Sequence, residues 1–265
     1  MTKAGSNRIY WDELAPRYQD ETSISTTDYH FGPLLPGNSE LQLLPNSVAD
    51  LDCLEIGSGA GQNSIYLARQ GARCTAIDVS AAQLDHGRAL ADTESVNVEF
   101  AVHAMQDLAN FDTTYDFIHS TYALPFAEDP KTVIADSATL LRPGGHLLLT
   151  TAHPVAAGEW MEIGDEGCGL FLTSYFEPPV DVRFVEDGTN FVRSSAWPLG
   201  LTVDWLRDAG LVLDRIVEPQ PLPIPTMSTA EIEARVPYHS EIWLDCYEQV
   251  AHIPVVAIFA AHRPI

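Results

Sequence analysis

From residue 51 to residue 151, short apolar runs alternate with longer stretches whose apolar positions recur every three or four residues. This is the pattern of strands joined by crossover helices. Leu51 to Ile56 reads as the first strand and Ala72 to Ile77 as the second. Between them a helix over Asn63 to Gln70 stops at Gly71, since glycine commonly lies just past a helix end. Val96 to Val102, Tyr115 to Ser120 and Gly145 to Thr151 supply three more strands, each with a helix expected before it. Strands and helices in this order build an α/β, doubly wound parallel sheet.

The flanks depart from that rhythm. Ile9, Trp11, Leu14, Ala15 and Tyr18 share one face of a helix over residues 8 to 20, which Pro16 complicates. Gly32-Pro33, Pro36-Gly37 and Pro45-Asn46 mark residues 21 to 50 as an irregular approach to the core. Residues 155 to 198 are rich in glycine, proline and aromatics and contain the alternation Val180, Val182, Phe184; they read as a β-rich insertion over the ligand end of the sheet. Thr202 to Asp208 resumes as a helix, with strands at Leu211 to Val217 and Val255 to Ala261. Between these strands Ser228-Thr229-Ala230-Glu231 is a capping box that opens a helix. The expected organisation is a lid segment at 1–50, a core at 51–154 and 199–265, and a cap insertion at 155–198.

Composition narrows the partners. Hydrophobic residues make up 46% of the chain and charged residues 19%, which suits a packed globule. The 14 Lys and Arg against 37 Asp and Glu leave a formal charge of -23 with no basic run, so a phosphate backbone would be repelled and nucleic acid is excluded as a partner. Cys53, Cys74, Cys168 and Cys246 form no CxxC pair, and the histidines show no HxH or HExxH spacing, so no metal site is expected. No secretory leader and no apolar run long enough for a membrane span is visible, and the expectation is a cytoplasmic protein without a membrane partner. The oligomeric state stays open, a homodimer or larger assembly included.

The chemistry-bearing feature is the loop Glu55-Ile56-Gly57-Ser58-Gly59-Ala60-Gly61 between the first strand and its helix. Glycines there let backbone approach a ligand closely, and the helix aims its first amides into the same crevice. A lone glycine pattern is weak evidence, because a structural turn explains it too. Asp78 strengthens it: the residue ends the second strand, 23 positions after Glu55, where a carboxylate can accept both hydrogens of a ribose diol. Gln62 stands where the nicotinamide fingerprint has its third glycine, which counts against a dinucleotide.

In LEIGSGAGQNS, AIDVS, YDFIHSTYAL and LLRPGGHLLLT the chain resembles the successive motifs of class I S-adenosylmethionine-dependent methyltransferases, and within them the small-molecule enzymes of the methyltransferase type 11 group. AGLVLDRIVEPQP and IPVVAIFAAHR are similar to that family's sixth and seventh strands. The resemblance implies a Rossmann-like seven-stranded sheet with an antiparallel last strand, S-adenosylmethionine as cofactor and a small-molecule methyl acceptor. It also implies a cofactor site in which Glu55, Gly57, Gly59 and Gly61 hold the methionine part, with Asn63 beside them. Asp78 would hold the ribose, Val79 and Gln83 would lie near ribose and adenine, and Ser120 would face the methionine end. Where many relatives carry an acid after the third strand, this chain has Ala104, Met105 and Gln106; the Met105 backbone and Gln106 are expected to take over that contact.

Methyl transfer is an in-line displacement, so holding donor and acceptor about 3 to 3.5 Å apart supplies much of the rate and a strong base is optional. Tyr10 and Tyr18, two helical turns apart, are expected to face the cofactor from the lid, although packing explains them as readily. Tyr18, Tyr122 and His153 are the candidate catalytic residues, with His153, at the end of the fifth strand, the candidate base; His30 and His119 rank below it. Trp160, Phe171, Tyr175, Phe176 and Trp197 would form an apolar wall or simply pack the insertion. Only two lysines, Lys3 and Lys131, and many Ala, Asp and Arg suggest a high-GC bacterium and specialised metabolism such as antibiotic tailoring. The alternative keeps the scaffold without methyl transfer, as a cyclase or decarboxylase.

Overall fold

The computed structural model describes residues 3–162, 164, 168–185 and 191–265. Seven strands form the central sheet: β1 (Asp52–Ile56), β2 (Arg73–Asp78), β3 (Val98–Val102), β4 (Tyr115–Thr121), β5 (Leu141–Ala152), β6 (Val212–Val217) and β7 (Val256–His262). Their spatial order is β3-β2-β1-β4-β5-β7-β6, parallel throughout except for β7, which runs antiparallel to both β5 and β6. The order reverses beside β1, so a crevice opens between the carboxyl ends of β1 and β4, where ligands bind in such sheets.

The helices that matter for the site are α1 (Lys3–Glu21), α2 (Gln62–Arg69), α3 (Ala81–Glu94), α4 (Pro130–Leu140) and α5 (Leu199–Asp208). Ser80 caps α3 by accepting the Gln83 amide, and Asp129 caps α4 by accepting the Thr132 amide. The capping box at Ser228 and Glu231 forms as expected and starts the helix Thr229–Arg235.

Strand alternation divides the core between two faces. Leu54, Ile56, Ile118, Leu147, Leu149 and Phe259 meet α4 and α5 on one side. Cys53, Phe117, Leu148, Val256 and Ile258 point to the other, where Tyr29, Phe31 and Leu35 are fully buried against them. The approach segment therefore completes the core, although its turns predict only irregular chain.

Two other expectations change. No α-helix precedes β4: the connection from β3 is a short 3-10 turn, Met105–Asn110. The chain from His103 to Thr114 must pass over both β2 and β1 to reach β4, which leaves little length for a helix. Helix α1 starts earlier than residue 8 and runs through Pro16, whose side is exposed. The described part of 155–198 contains two antiparallel pairs, Glu159–Glu162 with Cys168–Phe171 and Asp181–Phe184 with Phe191–Ser194. Val180, Val182 and Phe184 alternate in sequence yet all are exposed.

Candidate active site

The crevice is roofed by α1 and becomes a cavity of about 540 Å³. That lies within the range of small-ligand sites, roughly 300–1,000 Å³. Its floor is the glycine loop. Gly57, Gly59 and Gly61 all take a left-handed backbone, with φ of 66°, 57° and 68°. At Gly57 a Cβ would sit 2.3 Å from the Ala123 Cβ, so the loop presses against the chain leaving β4. At Gly59 a Cβ would meet only the Gln83 side chain, at 4.0 Å, so this position opens into the cavity. Gly61 does neither: a Cβ there would lie 2.8 Å from the Phe100 ring, which makes it a packing glycine between α2 and the sheet.

Asp78 braces the loop from β2. One carboxylate oxygen accepts the Gly59 amide at 2.9 Å and the other the Ser80 amide at 2.9 Å, leaving lone pairs on the cavity side. Burial pushes this carboxyl up, while the amides from Ser80 and Gly59 hold it down. Val79, Gln83, Met105 and Gln106 line the same end. A carboxylate for a diol, apolar flanks for a flat base and an open Gly59 fit S-adenosylmethionine.

The roof is fastened in several places. The Gln19 side chain donates to Gln83 at 2.8 Å and accepts from Gln62 at 3.1 Å, bridging α1 to α2 and α3. Asp12 accepts the Ser80 hydroxyl at 2.8 Å. Tyr18 and Tyr238 share a hydrogen bond of 2.7 Å, and the short strand Thr22–Ile24 pairs with Tyr238–Ser240. Trp11 packs edge-on against Phe126 and against Tyr18.

The predicted residues thus divide. Tyr10, Tyr18, Gly57, Gly59, Asp78, Val79, Gln83, Met105, Gln106 and Tyr122 line the cavity. Glu55, Gly61, Asn63, Ser120 and His153 are not among its lining. Glu55 is buried beneath the loop, where it accepts the Ser64 amide at 3.0 Å and the Ser64 hydroxyl at 2.6 Å. Asn63 clamps the backbone of His30, and the Ser120 hydroxyl donates to the Ile56 carbonyl at 2.8 Å. Strand alternation turns Ser120 away from Thr121, which reaches the cavity, and Tyr122 reaches it from beyond the end of β4, where φ is 59°.

His153 departs most from its expected role as base. Its Nδ1 accepts the Val155 amide at 3.2 Å, which puts the ring proton on Nε2, and Nε2 meets Glu218 at 2.7 Å. Both nitrogens are engaged and the ring caps a local turn. Burial lowers its pKa, with Glu218 opposing. Tyr122 sits at φ 59° directly after β4, and burial pushes its hydroxyl up to about 12. Burial raises Tyr18 as well, so both phenols stay protonated at neutral pH and act as donors rather than bases.

Trp160, Phe171, Tyr175, Phe176 and Trp197 do not line the cavity. Trp197 packs in the core and donates to Thr202 at 2.7 Å, and Phe176 is exposed. From the insertion, Arg183 reaches the cavity. Sequence reading also missed Gln19, Tyr238 and Trp243; Gln19 had a signal in its place beside Tyr18, whereas nothing local marks the other two. Among the described residues no group of His, Cys, Asp and Glu is arranged to hold a metal ion, and no helix is long and apolar enough to cross a membrane.

Comparison with known proteins agrees with this geometry. The methyltransferase domain family matches residues 54–149. The ubiquinone biosynthesis O-methyltransferase of Xylella fastidiosa is 30% identical over 164 residues, 62% of this chain and 61% of the relative, so the match spans less than two thirds of that enzyme. An S-adenosylmethionine-dependent methyltransferase from Mesorhizobium loti shares the fold with a TM-score of 0.63 at 22% identity, covering 84% of this chain and 95% of the other. The cyclase SpnF shares it with a TM-score of 0.62 at 17% identity, covering 97% of this chain and 95% of the other. Fold and site define a Rossmann-like nucleotide-binding α/β protein. Over residues 54–149 the chain matches the methyltransferase domain family, and its fold is that of class I S-adenosylmethionine-dependent methyltransferases.

Glu55 gives the domain a pH signature. Burial raises its carboxyl from 4.5 to about 7, against the hydrogen bonds from Ser64. The folded state therefore binds this proton more tightly than the unfolded state, and stability falls as pH rises from about 4.5 to about 7. Glu55→Gln keeps an acceptor for Ser64 and removes the titration. Chemical denaturation at pH 5 and pH 8 is expected to show the wild type losing on the order of 2–3 kcal/mol relative to the variant. Parallel behaviour of the two proteins would show that the carboxyl is ionised throughout.

Proposed function

We propose that this chain transfers a methyl group from S-adenosylmethionine to a nitrogen or oxygen of a small molecule. The observation that carries the reading is one cavity with two ends: Asp78, Gly59, Val79 and Met105 suit the nucleoside, while Tyr18, Tyr122, Phe126 and Tyr238 surround the space beyond. In this reading residues 1–50 act as a lid, 51–154 and 199–265 as the cofactor-binding core and 155–198 as a cap that contributes Arg183. A roofed cavity and a charge of -23 favour a small acceptor over nucleic acid. Composition supports bacterial specialised metabolism, including antibiotic tailoring, and the name of the Xylella relative favours oxygen as the acceptor atom.

Bound S-adenosylmethionine supplies an electrophilic methyl group, and the chain's own residues do the positioning. The glycine loop and Asp78 hold the donor, the lid excludes water, and the protonated Tyr18 and Tyr122 hydroxyls orient the acceptor. Calorimetric titration is expected to show binding of S-adenosylmethionine. Incubation with the methyl-labelled donor and a bacterial metabolite extract is expected to move label to a low-mass product. Donor binding with all label retained on the donor would favour a non-methylating cyclase or decarboxylase, and no binding at millimolar donor would remove both readings.

A further inference from the structure

The cavity wall contains a buried polar ring whose hydrogen-bonding capacity no described residue uses. His30 lines it and is 9% exposed; its Nδ1 is enclosed without a partner, and Nε2, which no described residue bonds either, is the ring nitrogen that keeps accessible surface. Buried polar atoms are normally paired, and leaving one unpaired is costly. The ring is firmly held at its backbone. The His30 amide donates to the Asn63 side chain at 2.9 Å, and the His30 carbonyl accepts from it at 3.0 Å. Asn63 belongs to the first turn of α2, so His30 is set rigidly against the glycine loop.

Its neighbours describe what it faces. Tyr238 packs edge-on at 5.4 Å between ring centroids and shares a hydrogen bond with Tyr18. Trp11, Tyr122, Phe126 and Trp243 complete apolar walls suited to a flat molecule. Arg183 lies close enough for its charge to act on Tyr10, Tyr18, Tyr122 and Tyr238. Asp181 pairs with this guanidinium at 2.6 Å and offsets part of its charge, but at Tyr10 and Tyr122 the Arg183 effect is the larger, which favours an oxygen that develops negative charge over an ammonium. Burial lowers His30 to about 4, so the ring is neutral at pH 7 and keeps a lone pair. His119 lies behind it in the core, with Nδ1 on the Tyr29 hydroxyl at 3.0 Å, and does not line the cavity.

We propose that His30, rather than His153, contacts the methyl acceptor, and that the acceptor presents a hydroxyl on a flat ring; this rests on the methyltransferase reading above. In the transfer the hydroxyl proton passes to the His30 imidazole, and an oxygen lone pair forms the new carbon–oxygen bond. The carbon–sulfur bond breaks with its electron pair left on sulfur. A sulfonium becomes a neutral thioether, and His30 returns the proton to solvent.

Phenol and toluene, two probes of one shape, test this when titrated into protein saturated with S-adenosylhomocysteine and read by tryptophan fluorescence, since Trp11 and Trp243 line the cavity. The preference for phenol over toluene is expected to fall about tenfold in His30→Ala, the loss of one hydrogen bond. His30→Phe, which keeps a ring in place, is expected to show the same fall and guards against misfolding of the smaller variant. Affinity for S-adenosylhomocysteine, measured separately by calorimetry, is expected to stay within twofold of wild type. A phenol preference that survives in both variants overturns the His30 contact, and so does an absence of phenol binding in the wild type. Failure of the wild type to bind S-adenosylhomocysteine would instead remove the underlying reading.

Discussion

Asp78→Ala is expected to weaken S-adenosylhomocysteine binding by at least about a hundredfold in calorimetric titration. Hydrogen bonds to a charged group contribute about 1.5–3 kcal/mol each, and a ribose diol offers two of them to one carboxylate. The carboxylate also holds the Gly59 and Ser80 amides, so its removal releases the loop on which the ligand rests. The two losses act together on one site. Asp78→Asn is expected to be milder, since one oxygen remains to accept the Gly59 amide. A loss smaller than tenfold in the alanine variant would mean that the nucleoside does not lie against Asp78.

Gly57→Ala is expected to damage both fold and binding. The φ of 66° costs an L-residue about 1–2 kcal/mol, and the new Cβ would fall 2.3 Å from Ala123. The Ala123 Cβ is fixed to the backbone rather than being a flexible side-chain end, so the loop or the chain after β4 must move. The combined penalty is on the order of 2–4 kcal/mol, read as a fall in thermal midpoint, with at least a tenfold loss of cofactor affinity. Gly210→Ala separates strain from overlap: its φ is 77° and nothing lies within 4 Å of a Cβ there. It is expected to lose only the backbone share, with unchanged cofactor binding. Equal effects at the two positions would show that the Ala123 contact does not constrain the loop.

Local pattern made the sheet strands legible because each is an apolar run bounded by turn residues. The same logic singled out Asp78, Gly57 and Gly59, which line the cavity and whose placement depends on spacing along one βαβ unit. It failed where position depends on packing. Glu55 reads as a ligand contact but lies on the side of β1 that α2 covers, and Ser64 on that helix captures it. His153 reads as a free histidine at a strand end, yet Val155 and Glu218 take both ring nitrogens. His30 reads as loop and is a buried histidine in the cavity wall, because Asn63 pins its backbone across 33 residues.

The amino-acid sequence by itself determined the alternation of strands and helices, the left-handed glycine positions of the loop and the acid at the end of β2. Each follows from a two-residue or 3.6-residue period, or from a conformation that favours glycine. The tertiary structure alone decided which side chains close the cavity. Tyr238 meets Tyr18 across 220 residues, Gln19 meets Gln83 across 64, and Arg183 arrives on a hairpin from the insertion. Such contacts carry no local period, since they arise only when separate elements are packed on one sheet.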